Sequence, residues 1–413
     1  MYEKVLNSFN ELSGPIFRDV WLPRIYDMAW QKDRSKFAAA IPRNSDGVRG
    51  TRVKIPSVTR WPWAWRALDP VAGVFPTGGT FDVATQTAQL SCHASSVITS
   101  LDEIVNSSTD ANAWLDIINA RMESMAKTFP FYMDAVLFSS NAGMKAIGKA
   151  ASISGTTVTL DNAGLWHTVT ADRAKLFIAG MVVQWYRSST VKVGSPVIVQ
   201  AVDYVEGKVT LDEDPGIADN DFAVPSDLGG QQLPYTTLFP GILDAMDDAN
   251  TFQGIDRSLP ANIAFRSRVE SASGKTLNYR LLADFFARIR SPKEAYTNPE
   301  LVRAYWDSEI AANVRYTPTA TFEDGFQYVV IDGTRLIGDD SCDRDKVLCP
   351  RLGEDGKMRI ADLGGLKDPF GKGWQQAARR TVIEHDMVYW GLLLAEDLSN
   401  TGYLKDITLP TAE

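Results

Sequence analysis

The sequence predicts an α+β protein built from several units, and three features of the 413-residue chain lead to this class. Residues 51–92 contain two β-prone stretches around a centre rich in Pro and Gly. A run beginning near Trp114 has apolar residues at helical spacing, and residues 146–226 repeat one strand–turn–strand pattern. A chain of this length exceeds the size at which one hydrophobic core usually suffices, so two or three packed units are expected.

Composition narrows the classes of protein that fit. Hydrophobic residues make up 45% and charged residues 23% of the chain, which is ordinary for a protein that folds. No run of about eighteen apolar residues occurs, and the N-terminal MYEKVLNSFNEL lacks the regions of a signal peptide. We therefore expect a soluble protein made in a cytoplasm, with no membrane partner. Cys92, Cys342 and Cys349 fit neither a disulfide framework nor a common zinc spacing, so buried or inert thiols are expected.

Charge is distributed unevenly along the chain. The net charge is −9, yet residues 1–66 carry twelve Lys or Arg against six Asp or Glu, a local balance of +6 that leaves −15 for the remainder. Net negative charge argues against tight coating of nucleic acid, which relies on clustered Lys and Arg. Two interpretations stay open. The asymmetry is scatter on a solvated surface, or a basic arm binds the acidic body of a neighbouring copy and fixes register.

Residues 1–50 predict an N-terminal arm, because prolines break the short helical signals and no periodic run is long enough for a core element. The next segment, 51–92, predicts a long hairpin with a wide tip. Trp61, Trp63 and Trp65 alternate along one of its strands and therefore share one face. These indoles either cover the protein's own core or bind a partner.

A long helix is predicted within residues 93–145. Thr109 or Asp110 can cap its start. Its apolar face is marked at steps of three and four by Trp114, Ile118, Met122, Met125 and Phe129. The pattern continues past Pro130, which should kink or interrupt the helix because it lacks an amide hydrogen, and ends near Asn141 and Gly143.

Residues 146–226 predict a separate β unit with its own small core. SISGTTVTLD and DYVEGKVTLD each contain a strand, a Gly turn and VTLD, which indicates a duplicated hairpin in a small barrel or sandwich. Acidic residues cluster after the second copy, at Asp212, Glu213, Asp214, Asp219 and Asp221. Because the spacing and terminal Glu of an EF-hand are absent, turn chemistry and solubility explain this cluster better than a calcium site does.

The remaining sequence predicts further helices and strands. Residues 277–289 are strongly amphipathic, and Asn298, Pro299 and Glu300 form a helix start before LVRAYWDSEI. FQYVVIDGTRLIGDD predicts two strands joined by a turn at Asp332. KVLCPRLGEDGKMRIADLGG adds two strands, and VIEHDMVYWGLLLAEDLSNTGYLKDITL predicts strands buried in a central sheet.

Motifs that carry chemistry are missing from the sequence. The histidines His93, His167 and His385 lie outside metal-binding and nucleophile motifs, and a histidine between apolar neighbours is more often structural. Neither a phosphate-cradling loop nor a GxSxG elbow occurs. The adjacent Asp339 and Asp340 cannot flank a glycosidic bond as two separated carboxylates must. We predict no catalytic, cofactor-binding or metal-binding residues.

The order of these parts resembles the capsid-protein fold shared by tailed phages and herpesviruses. IPSVTRWPWAWRALDPVAGVFPTGGTFDVATQTAQL is similar to the family's extended loop, and NAWLDIINARMESMAKTFPFYMDAVLF to its spine helix. LNYRLLADFFARIRSPKEAYTNPELVRAYWDSE and FQYVVIDGTRLIGDD resemble the axial domain, and VYWGLLLAED resembles the final strand of the peripheral domain. Pro130 and the insertion at 146–226 depart from the minimal family pattern.

The resemblance implies a tailed-phage major capsid fold of class α+β with an inserted small β-barrel-like domain. In chain order its expected divisions are the N-terminal arm 1–50, extended hairpin loop 51–92, peripheral domain with spine helix 93–145, inserted β domain 146–226, return to the peripheral domain 227–275, axial domain 276–365 and C-terminal peripheral-domain strands 366–413. No long helical leader precedes the arm, so we expect a separate scaffolding protein to guide assembly rather than a cleaved fused segment.

The function that the resemblance implies is structural and not enzymatic. The subunit would form the hexamers and pentamers of an icosahedral shell in the virion, assembled in the host bacterial cytoplasm. Expected partners are further copies of the chain, a scaffolding protein, a portal, possible decoration proteins and packaged double-stranded DNA in weak non-specific contact. The residues expected to contact other subunits are Trp61, Trp63, Trp65, Phe75, Phe81, Arg18, Arg24, Arg43 and Arg49. Two alternatives remain, a hydrolase and a carbohydrate-binding tail or adhesion protein, each with a β accessory domain.

Overall fold

The protein is described from a computed structural model, and the residues that the structure describes are 21–29, 35–60, 82–100, 111–138, 146–161, 170–188, 191–226, 240–249, 251–290, 292–310, 321–323, 326–352, 358–368, 375–376 and 382–409. Within them, the strands form a five-stranded sheet, a three-stranded sheet, a closed barrel, a seven-stranded sheet and a two-stranded ribbon. The predicted α+β class is confirmed, because helices and mostly antiparallel strands occupy separate segments of the chain.

The secondary-structure elements are numbered in chain order. The α-helices are α1 (Leu22–Ala29), α2 (Lys36–Ala40), α3 (Ala111–Leu137), α4 (Thr170–Arg173), α5 (Ile242–Ala245), α6 (Tyr279–Arg288) and α7 (Pro299–Tyr305). The strands are β1 (Arg43–Asn44), β2 (Val48–Arg49), β3 (Arg52–Arg60), β4 (Asp82–Gln89), β5 (Ser91–Ser100), β6 (Gly148–Ser154), β7 (Thr157–Asp161), β8 (Val182–Tyr186), β9 (Lys192–Asp203), β10 (Lys208–Leu211), β11 (Phe222–Pro225), β12 (Thr251–Phe252), β13 (Ile255–Asp256), β14 (Arg268–Ser271), β15 (Glu294–Thr297), β16 (Thr321–Glu323), β17 (Phe326–Ile331), β18 (Thr334–Gly338), β19 (Val347–Cys349), β20 (Met358–Lys367), β21 (Gln375–Gln376), β22 (Val382–Ala395) and β23 (Gly402–Lys405). Two 3₁₀ segments, Ala174–Leu176 and Pro260–Phe265, and a π-helical turn, Trp306–Ile310, complete the described elements.

The five-stranded sheet is built on β22, the predicted buried strand near the end of the chain. β22 pairs antiparallel with β5, β20 and β21, and β20 pairs parallel with β1. The long predicted helix, α3, runs through Pro130 and packs on this sheet. Phe129 of α3 lies against Tyr389 of β22 with ring centroids 6.1 Å apart, and His93 of β5 is 2.8 Å from the Tyr132 hydroxyl.

The three-stranded sheet, here called the hairpin sheet, consists of β2, β3 and β4. β3 and β4 pair antiparallel from Arg52↔Gln89 to Arg60↔Asp82, so the two flanks of the predicted hairpin meet in register. Its inner face packs on the five-stranded sheet in a cluster formed by Val53, Ile55, Leu90, Ala361, Leu392 and Leu394. The hairpin tip, residues 61–81, lies outside the described residues.

The barrel closes in the strand order β10-β7-β6-β11-β8-β9 and contains both copies of the sequence repeat. The two VTLD segments pair antiparallel with each other, and the equivalent residues Val158 and Val209 face one another across the pair. The turn before each copy uses a glycine with positive φ, 60° at Gly155 and 66° at Gly207, a conformation that other residues rarely adopt. The repeat therefore forms a local pseudo-two-fold pair of hairpins.

The apolar interior of the barrel is continuous with the packing outside it, whereas the sequence predicts a unit with its own small core. Trp185 and Val209 inside the barrel belong to the same continuous apolar cluster as Phe37, Phe138 and Leu393 outside it. Within the inserted unit, Gly148 lets the Phe177 ring pack closely against β6, since a Cβ at that position would lie 2.7 Å from the ring. The shared cluster therefore joins the inserted unit to the rest of the protein.

The seven-stranded sheet has the order β14-β23-β19-β15-β18-β17-β16, and α6 and α7 pack with it. Asn298 caps α7 as predicted, since its side chain accepts a hydrogen bond from the Glu300 amide at 2.9 Å. The strand pairings differ from the expected divisions in three places. β14 lies before residue 276 and β23 lies after residue 365, but both belong to the seven-stranded sheet. β20 starts before residue 365 but belongs to the five-stranded sheet.

The described part of the predicted arm is packed into the body of the protein. Trp21, Leu22 and Ile25 of the α1 region are buried, and Phe37 of α2 is fully buried. The predicted arm therefore contains two helices, α1 and α2, that contribute to the core. Each helix is only a few residues long, so the periodicity of the sequence did not reveal it.

Candidate functional site

Residues 339–346 form a polar loop, here called the junction loop, that contacts four separate parts of the chain. The loop follows β18, whose last residue is Gly338. A Cβ at Gly338 would lie 3.2 Å from the Pro299 backbone, so glycine allows the strand end to approach α7. Asp339, Asp343 and Lys346 are buried, so each of these polar groups needs a partner inside the protein.

Asp339 holds the N-terminal segment. Its carboxylate accepts hydrogen bonds from the Phe37 amide at 2.7 Å, the Ser35 hydroxyl at 3.1 Å and the Ser341 amide at 2.9 Å. Burial raises the pKa of the Asp339 carboxyl, and these hydrogen bonds act in the opposite direction. Lys36 also donates to the Gly338 carbonyl at 2.5 Å. The segment before α2 is thus fixed to the junction loop.

Asp172 of α4 attaches the barrel to the same loop. Its side chain is fully buried and accepts a hydrogen bond from the Arg344 amide at 2.9 Å. Its second oxygen lies 2.7 Å from Lys175 Nζ and 3.4 Å from Arg344 Nε. Lys175 donates to the Asp340 carbonyl at 2.9 Å. One buried carboxylate and two cations therefore lie at the boundary between the barrel and the junction loop.

The seven-stranded sheet contributes the third and fourth sets of contacts. The Asn298 side chain donates to the Cys342 carbonyl at 3.0 Å, and the Thr297 hydroxyl donates to the Lys346 carbonyl at 2.6 Å. Near the C-terminus, the Ile407 amide donates to the Asp345 carbonyl at 3.0 Å. Burial lowers the pKa of Lys346, but the charges of Asp343 and Asp345 outweigh this effect and raise it.

This arrangement joins elements and does not prepare a reactive group. The carboxylates of Asp172 and Asp339 are occupied by amides and cations. Burial raises the pKa of the neighbouring Cys342 thiol well above its ordinary value, which disfavours the thiolate. Within the described residues, no group of three or more His, Cys, Asp or Glu is placed to hold a metal ion. None of the helices in the described ranges is long and apolar enough to cross a membrane.

The outer face of the hairpin sheet is exposed and basic. Arg52 and Lys54 point away from the cluster that buries Val53 and Ile55, as strand alternation requires, and Arg49 is paired beside Arg52. Across β4, the same face carries the exposed residues Thr85, Thr87 and Gln89. The three strands contain four Lys or Arg and one carboxylate, Asp82, which lies opposite Arg60.

The barrel carries an exposed loop of opposite charge, residues 212–219, here called the acidic loop. Its sequence DEDPGIAD holds four carboxylates and no cation. Asp212 accepts hydrogen bonds from the Ile198 and Glu213 amides at 2.8 and 3.0 Å. Gly194 of β9 lets this loop fold back closely, because a Cβ there would lie 2.5 Å from the Pro215 carbonyl oxygen.

The residues predicted to contact other subunits fall into three groups. Arg18, Trp61, Trp63, Trp65, Phe75 and Phe81 lie outside the described residues. Arg24 and Arg43 are exposed but lie over aromatic rings of their own chain, at 5.0 Å from the Trp21 ring centroid and 5.6 Å from that of Tyr26. Arg49 lies on the outer face of the hairpin sheet. Sequence reasoning missed Arg52 and Lys54, which the alternation in RVKIP could have identified.

Three solved structures are similar to nearly the whole chain. An encapsulin complex from Synechococcus elongatus is 9% identical, with a TM-score of 0.48 over 92% of this chain and 89% of that one. The capsid of cyanophage A-1(L) is 12% identical, with a TM-score of 0.47 over 92% of both chains. The capsid of a native GTA particle is 10% identical, with a TM-score of 0.43 over 92% and 91%. No protein-family model and no curated protein matches the chain.

Proposed function

We propose that this chain is the major capsid protein of a tailed phage, a subunit that forms hexamers and pentamers and closes an icosahedral shell around the phage DNA. The observation that carries the proposal is the hairpin sheet. Val53 and Ile55 fix its base to the five-stranded sheet. Its outer face presents Arg49, Arg52 and Lys54, and these side chains form no hydrogen bond or ion pair within the described part of the chain.

The rest of the molecule supports this function because its parts are joined into one body. The junction loop bonds to the N-terminal segment through Asp339 and to the barrel through Asp172. A shell subunit must keep its shape while it forms contacts with several neighbours, and many modest interfaces then add up to a stable shell. Repeated contacts between unlike surfaces of identical subunits close into rings when the rotation permits.

A major capsid protein of this kind would assign a role to each part of the chain. The five-stranded sheet with α3 would form the peripheral domain, and the seven-stranded sheet with α6 and α7 the axial domain. At the hairpin tip, residues that include Trp61, Trp63, Trp65, Phe75 and Phe81 would bury apolar surface against a neighbour. Scaffolding protein, portal and decoration proteins would be further partners, DNA contact would be weak, and the protein would be located in the virion after assembly in the bacterial cytoplasm.

Electron microscopy and size-exclusion chromatography of the purified chain test this function. The wild-type protein should form rings or shells, alone or with its scaffolding protein. Val53→Asp, which places a charge in the cluster beneath the hairpin sheet, should abolish them, while the matched change Val205→Asp, at a side chain 82% exposed in a barrel turn, should not. A wild-type chain that stays a compact monomer under all of these conditions would contradict the proposal and favour the hydrolase or carbohydrate-binding alternative.

A further inference from the structure

We infer that the outer face of the hairpin sheet binds the acidic loop on the barrel of a second copy of this chain. The inference rests on the proposed function, since it names one contact by which subunits of a shell would meet. It concerns an interaction surface formed by Arg49, Arg52 and Lys54, and its partner is the segment 212–219 of the neighbouring subunit.

The first support is that the face carries charge that the subunit itself does not use. Arg49, Arg52 and Lys54 are exposed, and within the described residues none of their side chains has a hydrogen bond or ion pair. Across β4 the face continues with uncharged Thr87 and Gln89, so among the side chains that the structure describes on this face, no carboxylate neutralises the three cations. Like-charged faces repel, so this surface does not suit a symmetric contact with the same face of another copy.

The second support is that the face is held in one orientation. The hairpin sheet is bonded to β22 directly, because the side chain of Gln86 in β4 donates to the Ala395 carbonyl at 2.5 Å. The turn between β12 and β13 is bonded to the same strand, because the side chain of Gln253 donates to the Leu393 carbonyl at 2.6 Å. The turn at Gln253 also covers the free edge of β4, because the Thr87 amide donates to the Gln253 carbonyl at 3.2 Å. A surface ordered before it binds loses little conformational entropy on association.

The third support is that the acidic loop carries the opposite charge to the basic face and has an ordered backbone. Asp214 accepts a hydrogen bond from the Gly216 amide at 2.8 Å. Arg187 donates to the Gly216 carbonyl at 3.5 Å and is paired with Asp221 at 3.1 Å. Glu213 and Asp219 are exposed and form no side-chain hydrogen bond or ion pair within the described residues. The loop thus offers free carboxylates on a fixed backbone.

A second copy suits the face better than nucleic acid does. Phosphate would satisfy the same cations, but the chain's net charge of −9 opposes the approach of a polyanion. Each subunit supplies one basic face and one acidic loop in equal number. No ion pair joins these two surfaces within one chain among the described residues, so each remains available to a neighbour.

Charge reversal tests the contact with two variants and their mixture. The face variant carries Arg52→Glu and Lys54→Glu, and the loop variant carries Glu213→Lys and Asp219→Lys; all four side chains are exposed, so both variants should fold. At low salt each variant alone should assemble at least about tenfold more slowly than the wild type, measured by light scattering and electron microscopy. A matched control, Arg280→Glu with Arg303→Glu on exposed positions of the helices beside the seven-stranded sheet, should assemble at the wild-type rate.

The mixture of the two variants gives the decisive result. The reversed face of one variant then meets the reversed loop of the other, and shells should form again at close to the wild-type rate. Failure of the mixture, or normal assembly of either variant alone, would overturn the inference while leaving the proposed function intact, because wild-type shells are scored first. Normal assembly of the face variant with loss of bound DNA from its shells would instead assign the face to nucleic acid and would equally overturn the inference.

Discussion

The barrel and the hairpin sheet are attached to the rest of the subunit in different ways. The interior of the barrel is continuous with the main apolar cluster, and its α4 carries the buried Asp172 that bonds to the junction loop. The hairpin sheet buries only one face, with Val53 and Ile55, and exposes the other with its cations. The barrel therefore uses the buried Asp172 within the subunit. The charged groups left available to a partner are those of its acidic loop and of the outer face of the hairpin sheet.

Because of this difference, substitutions in the barrel and on the hairpin sheet should affect different properties of the protein, its stability in the first case and its assembly in the second. Substitutions inside the barrel should lower the stability of the whole subunit, because no boundary in the packing isolates it. Substitutions on the outer face of the hairpin sheet should leave stability unchanged and alter contacts between subunits.

Trp185→Ala should lower the free energy of unfolding by about 4 kcal/mol, because it empties a fully buried site at the centre of the barrel. Trp185 Nε1 has no hydrogen-bond partner within the described residues, so the change removes packing and no polar contact. The measurement is urea unfolding followed by circular dichroism, with the exposed Val205→Ala as control. A variant in which only the barrel unfolds early, while the rest keeps its wild-type transition, would show that the two regions are independent.

Acid should weaken the five-stranded sheet, on which the hairpin sheet rests. Burial lowers the pKa of His93 to about 4 from an ordinary value of 6.5, so the unfolded chain takes up a proton before the folded one does. Above pH 6.5 His93 is neutral in both states and does not affect the pH dependence of stability. As the pH falls from 6.5 towards 4, protonation of His93 in the unfolded chain lowers the free energy of unfolding by up to about 3 kcal/mol. His93→Gln should remove this part of the pH dependence in urea titrations. Parallel pH profiles for both proteins would contradict the assignment.

Asp172→Asn should cost about 2 kcal/mol, since it removes the charge that faces Lys175 and Arg344 at a site with no solvent exposure, although both cations are partly exposed. As a control, Asp284→Asn breaks an exposed pair with Arg280 and should change stability by less than about 0.5 kcal/mol. The experiment is again equilibrium unfolding. Equal, small effects of both substitutions would mean that the barrel is held by apolar packing alone.

Arg52→Ala combined with Lys54→Ala should change the stability of the free subunit by less than about 0.5 kcal/mol, because both side chains are exposed and unpaired within the described residues. Val53→Ala, between them on the buried face, should cost about 2 kcal/mol. Thermal unfolding of the unassembled protein distinguishes the two. A large loss from the double substitution would place these cations among the subunit's own stabilising contacts.

Local patterns in the sequence predicted much of the fold. Strand alternation identified the hairpin, the VTLD repeat identified paired hairpins, and Asn298 marked the start of α7. Each of these features depends on residues close together in the chain. The same reasoning failed for α1 and α2, whose helices are too short to show a period. It also did not show that the barrel interior joins the main apolar cluster, because periodicity does not report which cluster a buried side chain joins.

The candidate site was beyond local patterns because its contacts are distant in sequence. Ser35 and Asp339 are 304 residues apart, and Asp172 and Arg344 are 172 residues apart. Asp339 and Asp340 were considered only as possible acid–base groups, since nothing near them in the sequence indicates that one anchors the N-terminal segment. Arg49 was predicted as a contact residue from its position in a basic segment, whereas Arg52 and Lys54 needed the register of the hairpin sheet to place them beside it.

Hydrogen exchange with mass spectrometry can compare free subunits with assembled shells. Exchange should be slower in shells for residues 48–56, 83–89 and 212–219, where copies of the chain would meet. β7 and β10, which pair inside the barrel, should exchange equally slowly in both states because their contacts are complete in the subunit. Equal exchange of the hairpin sheet in subunits and shells, with added protection confined to β7 and β10, would contradict the account and place the interface on the barrel wall.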